Sequence, residues 1–318
     1  MSFKVVFMGT PDFAVHSLKT LHENGIEIAG VVTATDKPAG RGQKLTPSPV
    51  KQYAEQHGLT VLQPEKLKDE NFLQSLQNLH ADLFVVVAFR MLPEAVWTMP
   101  PKGTINLHAS LLPMYRGAAP INWAVMNGEK ESGITTFFIR QEIDTGNIIA
   151  KEKVSIEESD NAGSLHDKLM VRGAELLLQT VRSIRDNTYT TIPQETLLAE
   201  MKEVKSAFKI FKEDCHLNWN HSTEKIHNLV RGLSPYPAAW NDLHQPGKEA
   251  VNLKIFKTKK TTGQGTPGAL ETDSKTYIKV FTNDGALLIE ELQQAGKKRM
   301  HVEEFLRGTK PEPGSFLK

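Results

Sequence analysis

Cysteine is nearly missing: Cys215 stands alone among 318 residues, so no internal disulfide can form and no CxxC metal or redox pair exists. Net charge is missing as well, because 38 Lys and Arg almost cancel 37 Asp and Glu. Global disorder pairs low hydrophobicity with high net charge, and 39% apolar residues at a formal charge of +1 exclude it. The longest apolar runs fall well short of the roughly 18 residues that a membrane-spanning helix needs. The opening Met1–Phe13 reaches Gly9 and Pro11 too soon for the apolar region of a signal peptide. A cytoplasmic protein is expected, with Asn220-His221-Ser222 as a chance sequon. Nucleotide fingerprints are absent where they would count. Gly263-Gln264-Gly265-Thr266-Pro267-Gly268 spells GxGxxG, but a Lys-rich loop precedes it and Pro267 stands where a helix should open. Neither a Walker lysine motif nor a compact His/Asp/Glu ligand motif occurs, so NAD, ATP and a metal are not expected.

What is present alternates. Lys4–Met8, Ile26–Thr33, Asp82–Phe89 and Ile105–His108 are short and rich in Val, Ile or Phe. Between them lie the helical stretches Ala14–Asn24, Val50–His57 and Asn71–Leu79. Near-continuous apolar strands between helices predict a parallel sheet covered on both faces. Ile134–Ile139 and Asn147–Ile156 read as an added antiparallel pair, and Asn161–Arg185 as one long helix. The period is lost over 188–207, which reads as a linker with little structure of its own. Beyond Phe208 come short strands at Ala250–Lys257, Gly268–Glu271, Tyr277–Phe281 and Ala286–Leu292, with one helix at Ser222–Gly232. That texture suits a small barrel or sandwich. The expected division is a catalytic domain over 1–189, a linker over 190–207 and a second domain over 208–318. Residues 1–207 carry 21 basic and 24 acidic side chains; residues 208–318 carry 17 and 13. The excess includes Lys254, Lys257, Lys259, Lys260, Lys297, Lys298 and Arg299. It fits a polyanionic partner, or a solvated lysine-rich surface.

The stretch 104–146 carries the chemistry. Asn106 and His108 alternate in a strand, so both face one side. An amide and an imidazole there can donate to a carbonyl-type oxygen that turns negative when a nucleophile attacks; alone, the pair reads rather as satisfied polar groups of a sheet. An irregular loop, Ser110–Pro120, follows at once, with backbone amides expected to be free for a ligand at the carboxyl edge of the sheet. Asp144, in the turn Ile143-Asp144-Thr145-Gly146, is placed to reach His108 and favour its charged, two-donor form, or else to cap backbone amides.

Together these segments resemble the folate-dependent formyltransferases. Met8-Gly9-Thr10-Pro11-Asp12-Phe13-Ala14 is similar to the opening strand and turn of members acting on tRNA. Asp36-Lys37-Pro38-Ala39-Gly40-Arg41-Gly42-Gln43-Lys44-Leu45 with Pro47-Ser48-Pro49-Val50-Lys51 resembles their inserted loop, and Leu233-Ser234-Pro235-Tyr236-Pro237-Ala238-Ala239-Trp240 a motif of their C-terminal domain. The resemblance spans essentially the whole chain. It implies an α/β fold: a Rossmann-like catalytic domain, then an OB-like C-terminal barrel. It implies transfer of a formyl group from 10-formyltetrahydrofolate to the α-amino group of methionine on initiator methionyl-tRNA, with no metal, DNA or membrane as partner.

By the same resemblance, Asn106, His108 and Asp144 match the catalytic trio, and Ser110, Leu111, Leu112 and Pro113 match a folate-binding segment. Phe89, Arg90, Met91 and Leu92 stand where relatives place part of the pterin pocket. Phe89-Arg90 departs from the Tyr-Gly pair many members carry, and Gln141-Glu142 from a small or apolar pair. The loop 36–51 holds Lys37, Arg41, Lys44 and Lys51 against Asp36. Arg41, between glycines, is expected to meet the acceptor stem, with Lys37 and Lys44 beside it. A formyltransferase acting on a small amine, such as an amino sugar or nucleotide, would share the trio but lack the basic loop and the lysine-rich barrel.

Overall fold

A computed structural model describes residues 2–39 and 44–318 of the chain. Its contacts group into two compact units: residues 1–117, 132–155 and 166–206 form the first, and 118–131, 156–165 and 207–318 the second.

The first unit is built on a seven-stranded sheet. Its strands are β1 (Lys4–Gly9), β2 (Glu27–Val32), β3 (Val61–Leu62), β4 (Leu83–Val87), β5 (Thr104–His108), β6 (Glu131–Phe138) and β7 (Ile148–Ser155). Their spatial order is β7-β6-β5-β4-β1-β2-β3, parallel from β5 through β3, with β6 antiparallel to β5. Every residue of β4 is buried, as a strand covered on both faces requires. Helices α1 (Asp12–Glu23), α2 (Pro49–Gln56) and α3 (Glu70–Gln77) fill the crossovers. Ser48 and Asp69 cap the last two by accepting from Lys51 N and Phe72 N, the N-cap chemistry that their sequences advertise. Because β2 leaves β1 on one side and β5 leaves β4 on the other, the strand order reverses between β1 and β4. The loops beyond the carboxyl ends of β4 and β5 therefore open on the crevice where such sheets bind ligands. The short helix α4 (Glu94–Trp97) follows the first of these loops.

In the second unit, helix α5 (Pro120–Met126) packs on α8 (Thr223–Leu233). Asn122 donates to Gly232 O at 2.8 Å and the Trp123 indole to Phe208 O at 2.8 Å. The long helix α6 (Ala162–Arg185), from residue 166 onward, and the short α7 (Gln194–Leu198) belong to the first unit. The barrel strands are β8 (Ala239–His244), β9 (Val251–Thr261), β10 (Leu270–Thr272), β11 (Ile278–Phe281), β12 (Ala286–Gln294), β13 (Met300–His301) and β14 (Phe316–Leu317), with α9 (Val302–Gly308) between the last two. They run antiparallel in the order β10-β11-β12-β9-β8-β14, and β13 pairs with β12. Phe316 bridges Ala269 beside β10, so the sheet nearly closes on itself. Register shifts between Ile255 and Thr258 bend the eleven-residue β9, as closure demands. Ile226, Val230 and Leu233 of α8 pack with Ile255, Leu287 and Leu292 in the core.

The segment expected to be a bare linker is structured. Ile192 pairs with Ile148, α7 follows, and Gln194 is fully buried. Its buried groups are too few and too irregularly spaced to produce a period, so the sequence hides them.

Candidate active site

Strand β5 delivers Asn106 and His108 to one side of its carboxyl end. His108 is buried, and its Nε2 lies 2.9 Å from the carbonyl oxygen of Tyr115. A carbonyl can only accept, so Nε2 carries a proton and Nδ1 is the nitrogen left for other partners. That Nδ1 faces Asp144 Oδ2 at 3.8 Å, longer than a direct hydrogen bond. Asn106 is half-buried, and its side-chain amide meets no hydrogen-bond partner among the described residues.

Asp144 lies near both of the partners the sequence left open. Besides facing His108, its Oδ2 accepts from Gly117 N at 2.9 Å. Its backbone lies in the left-handed region at φ 55°, which Asp tolerates better than most residues. Two residues on, a Cβ at Gly146 would collide with the carbonyl oxygen of Phe138. Only glycine lets the turn fold back so closely.

The loop after β5 corrects an expectation. Its amides are largely occupied within the protein. Leu112 N donates to Thr135 Oγ1, Met114 N to Leu111 O, Tyr115 N to Lys205 O and Gly117 N to Asp144. Ser110 Oγ donates to Met114 O at 2.6 Å, and Thr135 Oγ1 to Ser110 O at 2.7 Å. Ser110, Leu112 and Pro113 are buried and Leu111 half-buried. Leu112 packs with Phe137 and Ile148. Most donors of this loop are therefore satisfied within the protein.

The loop after β4 is divided. Phe89 packs against the core on one sheet face, and Leu92 is buried. Arg90 donates to the carbonyls of Pro64 and of Glu65, the latter at 2.8 Å, with its guanidinium 5.6 Å from the Phe89 ring centre. Met91 is 74% exposed. A cleft of about 660 Å³ runs along Leu67, Leu73, Arg90, Met91 and Leu92. It includes none of the trio. Gln141 and Glu142 are exposed beside the Asp144 turn.

The basic loop is corrected in part. Strands Lys37–Ala39 and Lys44–Thr46 pair antiparallel, with Lys37 exposed, while Arg41 lies outside the described residues. Lys51 does not add to a free positive patch. Its Nζ meets Asp36 Oδ2 at 2.7 Å, and Gln63 donates to the same carboxylate at 2.8 Å. Those hydrogen bonds hold the Asp36 carboxyl below its usual range. In the barrel unit, Lys257 pairs with Glu290, Lys260 with Glu158 and Glu224, Lys298 with Glu304 and Arg299 with Glu291. Lys254, Lys259 and Lys297 have no ion-pair partner among the described residues.

Sequence reasoning picked out the loop 110–120 but not the separate roles of Tyr115, Arg116 and Gly117 around the Asp144–His108 pair, and it missed Gln194 altogether. Two of them act through backbone groups, which side-chain motifs do not reveal.

A lone amide beside an imidazole whose second nitrogen faces a carboxylate suits transfer of a carbonyl-bearing group. Comparison with known proteins gives the particular family. The model of the formyl transferase family matches residues 3–181, and that of the formyl transferase C-terminal domain matches residues 209–310. The chain belongs to the formyl transferase family. It is 54% identical over 313 residues to a methionyl-tRNA formyltransferase of Bacteroides thetaiotaomicron, covering 98% of this chain and 97% of that one. With the methionyl-tRNA formyltransferase of Flavobacterium johnsoniae it shares 49% identity over 307 residues and 96% of each chain. Among solved structures, a sugar 3N-formyl transferase crystallised in the presence of dTDP and 5-N-formyl-THF superposes with a TM-score of 0.65 at 21% identity, over 94% of this chain and 100% of that one. That likeness speaks to the fold.

Proposed function

We propose that this chain transfers the formyl group of 10-formyltetrahydrofolate to the α-amino group of initiator methionyl-tRNA in the cytoplasm. The observation that carries the reading is the His108–Asp144 pair: Nε2 is committed to Tyr115 O, so Nδ1 is the working nitrogen, 3.8 Å from Asp144. The neutral amine attacks the formyl carbon, a C–N bond forms, and the carbonyl oxygen becomes an oxyanion. Asn106 Nδ2 and the protonated Nδ1 of His108 donate to it. Asp144 stabilises the imidazolium and takes up the proton released by the amine. The C=O bond then re-forms as the bond from carbon to the folate N10 breaks, and N10 leaves as a neutral amine with the proton that Asp144 took up. Prearranged donors of this kind are worth about 10²–10³ in turnover each.

Ser110, Leu111, Leu112 and Pro113 offer the folate a rigid wall of backbone, and Phe89, Arg90, Met91 and Leu92 border the pterin. For the tRNA, Lys37, Arg41 and Lys44 serve the acceptor end, and Lys254, Lys259 and Lys297 the phosphates. Exposed Phe208 and Phe211, with Lys209 Nζ 5.3 Å from the latter ring, suit nucleic acid, where stacking and cations act together. The functional division 1–189, 190–207 and 208–318 belongs to this reading, and the matched ranges 3–181 and 209–310 support it. The test offers charged initiator tRNA and an amino-sugar nucleotide in parallel, with 10-formyltetrahydrofolate. Formylation of the tRNA alone supports the reading; formylation of the sugar alone overturns it.

A further inference from the structure

We infer that Gln194 is a positioning residue for formyl transfer, setting the Asp144 carboxylate against His108. The inference rests on the reading that this pair carries the chemistry. Gln194 is fully buried, and its amide is used at every position. Nε2 donates to Asp144 O at 2.9 Å and Gly146 O at 2.8 Å, while Oε1 accepts from Arg116 Nε at 3.1 Å and Nη2 at 2.6 Å. Arg116 is joined by a peptide bond to Gly117, whose N–H holds the Asp144 carboxylate at 2.9 Å. The contacts therefore close a ring: Asp144 backbone, Gln194, Arg116, Gly117, Asp144 carboxylate. One amide fixes the aspartate at both its ends.

The ring answers a need. Asp144 sits at φ 55°, a conformation that persists only where surroundings impose it. Gln194 is itself pinned. Two residues earlier, Ile192 and Ile148 exchange both backbone hydrogen bonds at 2.8 and 2.9 Å. Three residues later, Leu197 packs on Leu112, Phe137 and Ile148. The same segment also reaches the other partner: Lys205 O accepts from Tyr115 N at 2.6 Å, and Tyr115 O accepts from His108 Nε2. Gln194 reaches the reaction only through Asp144, and no side-chain motif marks it.

The test uses the full chain with Gln194→Met, which keeps length and removes all four hydrogen bonds, and Gln194→Glu, which keeps the acceptor toward Arg116 and loses both donors. Each is made alone and combined with Asp144→Asn. A displaced catalytic group costs about 10–100-fold in kcat, and that loss is expected with KM for folate and tRNA held within about threefold. Combined with Asp144→Asn, either change should cost nothing more, because both act through one group. Wild-type kcat in both variants, a loss carried by KM alone, or an equal further loss on the Asp144→Asn background overturns the inference. Thermal unfolding accompanies each assay; if one variant fails to fold the other decides, and if both fail Gln194 is only a structural anchor. Full turnover by Asp144→Asn itself would instead sink the reading of the pair.

Discussion

His108 Nε2 donates to the carbonyl oxygen of Tyr115 at 2.9 Å, and this bond determines which imidazole nitrogen remains for chemistry. Tyr115 is held at φ 59°, a conformation unusual for a bulky side chain. The carbonyl it aims at His108 depends on that turn, so the tautomer of the ring is set by a backbone torsion seven residues along the chain.

Asp144→Asn should leave the fold intact, since Asn tolerates the left-handed backbone and keeps an acceptor for Gly117 N. Only the charge facing Nδ1 is lost. Turnover is expected to fall by about 10²–10³ with folate affinity nearly unchanged. Single-turnover rates measured beside folate titrations check this, and a near-native rate removes Asp144 from the mechanism.

Gly146→Ala should damage both stability and activity. The added methyl meets the carbonyl of Phe138, so the turn must move and carry Asp144 with it. Overpacking of this kind costs about 1–3 kcal/mol, read as a lower denaturation midpoint. A variant with unchanged midpoint and rate would show that the turn can yield.

His227 is expected to make the barrel unit acid-sensitive. It is buried, with Nδ1 2.9 Å from Thr258 Oγ1. Burial, then the charges of Arg231 and Lys260, pushes its imidazole down to about 4. The folded value lies below the unfolded one near 6.5, so the unfolded chain binds the proton first. Stability is therefore full above about pH 6.5 and is lost as pH falls toward 4, by about 2 kcal/mol at pH 5. Denaturant titrations from pH 7.5 to 4.5 should show this slope, and His227→Gln should flatten it. An equal slope in the variant would place the acid sensitivity elsewhere.

Lys254 and Lys259 should matter more for tRNA than Lys257 and Lys260, whose charges already meet carboxylates. Replacing an unpaired lysine that grips a phosphate should lower the log–log salt slope of binding by about 1. Alanine at 254 and 259 together is compared with alanine at 257 and 260, each over a salt series. Equal slopes for the two pairs would show that the paired lysines also reach the nucleic acid.

Much of this molecule is legible in its residues. The apolar runs at Leu83–Val87 and Lys4–Gly9 form buried parallel strands because nothing else satisfies them, and Asn106 and His108 share a side because strands alternate. Gln194 is not legible. Its partners lie 48, 50 and 78 residues away, and a polar side chain in a stretch without period looks solvated until the fold closes around it. Lys51 misleads in the opposite way: a lysine counted toward a positive loop proves to be neutralised by Asp36 at the foot of that loop. Formal charge says what a residue carries, and only the fold says whether a neighbour has already answered it.

The assignment of α5 to the second unit bears on how such chains can be recombined. Asn122 and Trp123 are fitted to Gly232 and Phe208, and Gly232 has no room for a methyl beside Met126. A hybrid that takes a relative's barrel from residue 207 onward would graft it onto a foreign α5 and a foreign 156–165 segment. Modules in this chain are therefore defined by who touches whom, and a working exchange has to transplant three stretches of sequence together.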